Sequence, residues 1–142
     1  MEHSAPILDA LMRETRSYIP VRVDYNLRCP GFSLMENEIS GRCVPAIIVN
    51  PSLIGDNPSV IAHVLAHEYG HHVLGHVMDR TRIDPSSRLA VERENEADTF
   101  AATFLWENGY DVAEVRKFIV SGGGPRIAER VDILETPDER FA

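Results

Sequence analysis

The chain has 142 residues, of which 44% are apolar and 25% are charged, and its formal net charge is -8. This composition is typical of a soluble globular protein and excludes a disordered chain. The negative charge would repel a phosphate backbone, so we predict no nucleic-acid partner. Because no segment approaches the roughly 20 apolar residues that span a bilayer, we also predict a cytoplasmic protein with no membrane span.

The first half of the chain predicts one helix followed by strands. Apolar residues recur at helical spacing over residues 6–16, which favours a helix there. Residues 21–25 alternate apolar and polar side chains and predict a half-buried strand, and a short strand fits residues 32–35. The segment "VPAIIVN", residues 44–50, is apolar and β-branched, and it is the strongest strand prediction in the chain.

A long helix is predicted to begin after the turn sequence "GDNP". Asp56 or Asn57 can cap it, Pro58 suits its first position, and the pattern continues to about residue 78. Gly70 and Gly75 fall inside this predicted helix. Because each glycine costs about 1 kcal/mol relative to alanine, we expect backbone or a ligand to come close at these two positions.

Three further helices are predicted towards the C-terminus. The first covers residues 88–108, the second covers residues 112–120 with Asp111 as its cap, and a short one begins at about residue 126 and leads to a charged tail. Strands in the first half and helices in the second predict the α+β fold class. We expect one compact domain covering residues 1–142, and Cys29 and Cys43 are expected to be free thiols.

The segment "AHEYGHHVLGH", residues 66–76, holds four of the six histidines of the chain. His67 and His71 are four residues apart, so a helix would aim both imidazoles at one point. Two neutral imidazoles suit zinc, and Glu68, turned about 100° from His67, flanks that point without having to bind it. This is the HExxH arrangement, in which the glutamate takes a proton from a zinc-activated water.

A third ligand is predicted from "ENEAD", residues 94–98, on the next helix. Glu94 and Asp98 are four apart on one helical face, whereas Glu96 points roughly 200° away from Glu94. We assign Glu94 to zinc and Asp98 to the N–H of a ligand histidine, and Glu96 stays open as a rival to Glu94. Two histidines, one glutamate and one open position form the pattern of a catalytic zinc site.

"HEYGHHVLGH" followed by "ENEADTFAATFL" resembles the gluzincin metallopeptidases, in particular the HtpX and CAAX-prenyl endopeptidase group and the soluble ImmA/IrrE group. The resemblance covers roughly residues 44–106. It implies zinc on His67, His71 and Glu94, with Glu68 as the general base. It also implies a zincin-like fold, in which a small mixed sheet packs on the active-site helix and a second helix carries the glutamate; we place residues 44–50 at the substrate-binding edge of that sheet.

The sequence therefore predicts a minimal metallopeptidase domain, an endopeptidase acting on a peptide or protein substrate with Zn²⁺ as cofactor. One alternative is a catalytically weak zinc-containing module that binds a protein partner without cutting it. Another is a latent protease whose own tail covers the site. The substrate, the oligomeric state and the choice between zinc, manganese and cobalt stay open at this level.

Several other residues are candidates with a weaker basis. His63, His72 and His76 also show four-residue spacings, but their pairs lack a glutamate placed as Glu68 is, and packing is the preferred interpretation for His72 and His76. Tyr110 is a candidate donor for oxyanion stabilisation because it follows the second long helix. A Cys29 thiolate as an inhibitory fourth ligand is weighed against an ordinary reduced cysteine, and the latter is preferred.

Overall fold

A computed structural model describes residues 3–79 and 83–136 of the chain. Within these residues the α+β prediction is confirmed, with six helices and a small mixed sheet of three strands. The elements in chain order are α1 (Ser4–Thr15), β1 (Val21–Val23), β2 (Gly31–Asn37), β3 (Cys43–Val49), α2 (Pro51–Ile54), α3 (Pro58–Val73), α4 (Arg88–Glu107), α5 (Val112–Gly122) and α6 (Ile127–Glu135). The predicted charged tail at residues 137–142 lies outside the described part of the chain.

The sheet has the strand order β1-β3-β2, with β1 parallel and β2 antiparallel to β3. The expectation that residues 44–50 form a sheet edge is therefore wrong, because β3 is the central strand. Its last four residues, Ala46 to Val49, are all buried. A continuous apolar run is typical of a strand that is paired on both sides, so this sequence suits the centre of the sheet. The edge closer to the histidine motif is β2.

Helix α3 lies at the centre of the molecule. Asn57 caps it by accepting hydrogen bonds from the backbone N–H groups of Ser59 and Val60, and Pro58 occupies its first turn as predicted. Every residue from Ser59 to Gly70 is buried, because α3 packs against α1, α4, α5 and both longer strands. A helix that is buried on all sides has little freedom to shift, so it is a rigid base for the side chains near its C-terminal end.

The end of α3 differs from the prediction. The helix stops at Val73 and not at residue 78, because Gly75 adopts a left-handed backbone with φ of 81°. Such a conformation ends helices and favours glycine. Gly75 therefore terminates the helix and turns the chain, whereas Gly70 lies within the helix as expected.

Gly70 allows α3 and α4 to approach each other closely. A Cβ atom at this position would lie 3.1 Å from the Cβ of Phe100 on α4. On α4, Ala97 and Ala101 are completely buried, as expected for small residues at a close helix contact. This short approach brings the carboxylates of α4 within reach of the imidazoles of α3.

Candidate functional site

The structure brings the three predicted metal ligands together. The Nε2 atoms of His67 and His71 are 3.2 Å apart. Glu94 lies between them, with one carboxylate oxygen 3.4 Å from the Nε2 of His67 and the other 2.8 Å from the Nε2 of His71. Among the described residues this is the one group of three or more His, Cys, Asp or Glu side chains close enough to hold a metal ion.

The spacing of these atoms fits a tetrahedral ion. Ligand atoms about 2.0 to 2.1 Å from zinc would lie about 3.3 Å from one another. The separation of the two Nε2 atoms, 3.2 Å, and that of His67 Nε2 from one Glu94 oxygen, 3.4 Å, are close to this value. The Nδ1 atom of each histidine is engaged elsewhere: that of His67 is 2.9 Å from Asp98 Oδ1, and that of His71 is 2.9 Å from the Nδ1 of His76. Both histidines thus direct Nε2 towards the point where a metal ion could bind.

Asp98 supports His67 from the interior of the protein, as the sequence predicted by position. Only 3% of Asp98 is exposed, and the Arg130 guanidinium donates to both of its carboxylate oxygens at 2.8 and 3.1 Å. Burial opposes ionisation of Asp98, but its hydrogen bonds from His67 and Arg130 prevail and lower its pKa. Arg130 belongs to α6, so α6 closes the chain Arg130–Asp98–His67 behind the site.

The electrostatics of the group favour a bound cation. Burial lowers the pKa of His67, but the hydrogen bonds to Asp98 and Glu94 outweigh it and raise that pKa to about 10. In Glu94, hydrogen bonds from His67 and His71 overcome the effect of burial and lower the pKa of the carboxyl. Without a metal, a proton on His67 provides the positive charge that these two carboxylates require.

Two residues of strand β2 contact Glu68. The Ser33 hydroxyl lies 2.8 Å from Glu68 Oε1 and 2.9 Å from the Glu68 carbonyl oxygen. Gly31 packs against the same side chain, since a Cβ there would lie 3.0 Å from Glu68 Cγ. Neither residue is predicted from the sequence, because the contact between Ser33 and Glu68 joins positions 35 apart and no local pattern encodes it.

The free edge of β2 faces the same cleft. The pairing of β2 with β3 continues one residue beyond each end of the two strands. There, Asn50 N–H donates to Pro30 O and Glu38 N–H donates to Arg42 O. Because hydrogen-bonded pairs alternate in an antiparallel ladder, the even-numbered residues of β2 pair with β3. The backbone groups of Gly31 and Ser33 therefore point away from the sheet. In agreement, the Cys29 thiol donates to Gly31 O at 3.3 Å.

Two cavities flank the His67–Glu68–Glu94 group, and both are lined by these three residues. One, of about 320 Å³, extends towards α5 and α6. The other, of about 500 Å³, extends along β2. Both cavities thus border the candidate metal site, and we call the two together the groove.

Two of the remaining candidates are near this groove. Cys29 lines the cavity beside β2, where burial raises the pKa of its thiol, and it is not part of the ligand group. His63 lines the other cavity and is buried, which lowers its pKa to about 3. Within the described structure the Nδ1 atom of His63 has no hydrogen-bond partner.

Tyr110 is not brought to the site. Its ring stacks on Phe104 with centroids 6.0 Å apart, and it lines neither of the two cavities. Glu94 lies in the first half of α4, whereas Tyr110 follows the other end, after about 20 Å of helix. The sequence order placed Tyr110 near the motif, but the length of α4 separates them.

The remaining alternatives are also located. Glu96, the rival of Glu94, lies away from the ligand group, with its carboxylate 3.7 Å from His76 Nε2. His72 Nε2 is 2.9 Å from the Ala46 carbonyl, which ties α3 to the sheet. Both cysteines are free.

Residues 59–122 match the family model described as Peptidase U49. The matched segment begins in α3, ends in α5 and includes His67, Glu68, His71, Glu94 and Asp98. It supports a peptidase family, without singling out the HtpX or ImmA/IrrE groups. No curated protein and no solved structure matches the chain. Within the described residues, no helix combines the length and apolarity needed to cross a membrane.

Proposed function

We propose that this chain is a zinc-dependent peptidase that cleaves within polypeptide chains. The observation that carries the proposal is the convergence of His67, His71 and Glu94 with Glu68 beside them. A donor set of two imidazoles and one carboxylate is typical of catalytic zinc, since a structural site normally closes with four protein ligands. The match of residues 59–122 to a peptidase family model supports the same conclusion.

His67, His71 and Glu94 would hold the ion, which when bound would polarise the scissile carbonyl and acidify the attacking water. Glu68 accepts the proton of that water and delivers it to the leaving amine. Ser33 contacts one oxygen of Glu68, so the other oxygen is available for the proton. Asp98 holds the His67 ring in the tautomer that leaves its Nε2 free.

The two cavities favour an endopeptidase, because one extends from the ligand group towards α5 and α6 and the other extends along β2. An extended substrate can pair with the outward backbone groups of Gly31 and Ser33 on the free edge of β2. That pairing would lay the substrate beside Glu68, which the same two residues contact. The substrate-binding edge predicted at residues 44–50 is thus replaced by β2.

The proposal is tested with Glu68→Gln, which keeps the shape of the side chain and removes the base. Purified parent and variant are analysed for bound zinc and then incubated with an unfolded protein substrate, with and without a chelator. We expect equal zinc contents, cleavage by the parent that the chelator abolishes, and a loss of at least about 100-fold in the variant. Glu92→Gln, on the exposed face of α4, is the matched control and is expected to cleave like the parent.

Two results would contradict the proposal. Cleavage by Glu68→Gln at the rate of the parent would exclude this glutamate as the base. A parent that binds zinc and cuts no substrate would favour the alternative of a zinc-containing interaction module. If removing residues 137–142 then produced cleavage, the latent-protease alternative would replace that module.

A further inference from the structure

We propose that His76 is a positioning residue for the metal ligand His71, placed there by the turn that ends α3. This inference rests on the proposed zinc site and identifies the support of its second histidine. The sequence pattern left His76 as a packing residue, and the Peptidase U49 match does not assign it a role. Three features of the structure support the assignment.

The first feature is the geometry of the turn. Gly75 N–H donates to His72 O at 3.1 Å, and His76 N–H donates to His71 O at 3.0 Å. These two bonds, with Gly75 at φ of 81°, define a Schellman motif. In that motif the residue after the left-handed glycine folds back over the third residue from the helix end. The residues that occupy these two positions are His76 and His71, so the turn itself brings one imidazole against the other.

The second feature is the contact between the rings. The Nδ1 atoms of His71 and His76 are 2.9 Å apart, and the ring centroids are 5.2 Å apart in an edge arrangement. A hydrogen bond between two neutral imidazoles requires one donor and one acceptor. When His71 gives its Nε2 lone pair to a metal, its proton is on Nδ1, so His76 accepts through its own Nδ1.

The third feature is the support of His76 from α4. The His76 proton is then on Nε2, which faces the Glu96 carboxylate at 3.7 Å. Arg93 donates to the His76 carbonyl at 3.4 Å and forms an ion pair with Asp79, which fixes the backbone after the turn. The His76 side chain is only 9% exposed. It lies behind His71 and does not belong to the ligand group, so its role is to orient the ligand.

The experiment measures zinc affinity, which does not depend on catalysis. Metal-stripped parent, His76→Ala and His76→Gln are titrated with zinc in competition with a chromogenic chelator. Loss of the acceptor in His76→Ala is expected to weaken zinc binding by about 10- to 100-fold. A glutamine carbonyl can accept the same proton, so His76→Gln is expected to recover most of the affinity. His72→Ala, which removes a neighbouring histidine whose Nε2 lies 2.9 Å from the Ala46 carbonyl of the sheet, should bind zinc like the parent.

The outcomes separate this inference from the function on which it rests. His76→Ala with parental zinc affinity, or equal losses in all three variants, would overturn the positioning role. A parent that binds zinc and shows the expected variant series but cleaves no substrate would contradict the peptidase proposal alone. A parent that binds no zinc would overturn both.

Discussion

The two histidines of the candidate metal site are supported in different surroundings. His67 is backed by Asp98, which is 3% exposed and paired with Arg130 from α6. His71 is backed by His76, whose own contact, Glu96, is 55% exposed. The first support is built into the protein interior, and the second lies on a turn at the rim of the groove.

The two supports are expected to affect different properties, the stability of the fold and the binding of a metal. Charges in the interior are poorly solvated, so a broken pair there leaves a partner that neither water nor protein stabilises. Charges at the rim are hydrated, and their loss is compensated by solvent. We therefore infer that the His67 side of the site contributes to the stability of the whole fold, whereas the His71 side adjusts metal binding alone.

The largest expected effect comes from removing the interior carboxylate. Asp98→Ala leaves both His67 and Arg130 without their common partner. We therefore expect the free energy of unfolding to fall by about 3–5 kcal/mol. Urea denaturation of the metal-free protein measures this loss. Asp98→Asn keeps an acceptor oxygen for His67 and should lose less. Equal stability of Asp98→Ala and the parent would show that the interior pair does not support the fold.

His63, which is buried 3.9 Å from Asp98, makes the stability of the same interior region depend on pH. Burial holds the pKa of His63 at about 3, so the folded state keeps this ring neutral while the unfolded chain protonates it near its ordinary value of 6.5. Above pH 6.5 both states keep His63 neutral, so its titration does not affect the free energy of unfolding. As the pH falls from 6.5 towards 3, the unfolded state takes up a proton that the folded state does not, and the free energy of unfolding decreases.

In His63→Leu this proton is absent from the unfolded state. We expect the slope of unfolding free energy against pH, between pH 6.5 and 3, to fall by up to about 1.4 kcal/mol per pH unit, which corresponds to one proton. Urea titrations at several pH values, on metal-free parent and variant, give both slopes. Parallel slopes would mean that His63 is protonated in the folded protein.

A smaller effect is expected where α3 and α4 approach each other. In Gly70→Ala the new methyl group meets the Cβ of Phe100 at 3.1 Å, and this atom cannot move by rotating its side chain. Overpacking is expected to lower the free energy of unfolding by about 1–3 kcal/mol, and the higher helix propensity of alanine returns about 1 kcal/mol. The net loss of stability is therefore about 1 kcal/mol. The control is Gly122→Ala, where the new methyl group would meet no described atom within 4 Å beyond its chain neighbours and its own helix backbone, and thermal unfolding should show no loss of stability. A stabilised Gly70→Ala would argue against close packing.

Sequence reasoning was most successful where the signal is local. The four-residue spacings in two helices predicted that His67, His71 and Glu94 would converge, and the structure brings these side chains together. Single residue types predicted the caps, Asp56 or Asn57 for α3 and Asp111 for α5, and Asn57 and Asp111 occupy these positions. The class of the fold followed from the order of strands and helices. These features depend on neighbours within one or two helical turns, so a single sequence contains the information.

The wrong and missing predictions have one physical origin. Contacts between segments far apart in the sequence leave no pattern among neighbouring residues. The apolar run of β3 was placed at an edge, but such a run is buried best between two strands. Ser33 and Arg130 contact site residues more than 30 positions away, so no spacing rule indicates them. Gly75 was recognised as unusual within a helix, and only the structure shows that it ends the helix and returns His76 to the site.

The smallest expected effect lies at the outermost contact of the rim. Glu96→Gln removes the charge that faces His76 at 3.7 Å and keeps the size of the side chain. Because this carboxylate is more than half exposed, water replaces most of its interaction, and we expect the stability to change by less than about 0.5 kcal/mol. Zinc affinity should fall by no more than about threefold, since His76 keeps its bond to His71. Urea denaturation and chelator competition measure the two quantities. A loss as large as that of Asp98→Ala would erase the distinction between interior and rim, because it would show that a hydrated carboxylate supports the fold as strongly as a buried one.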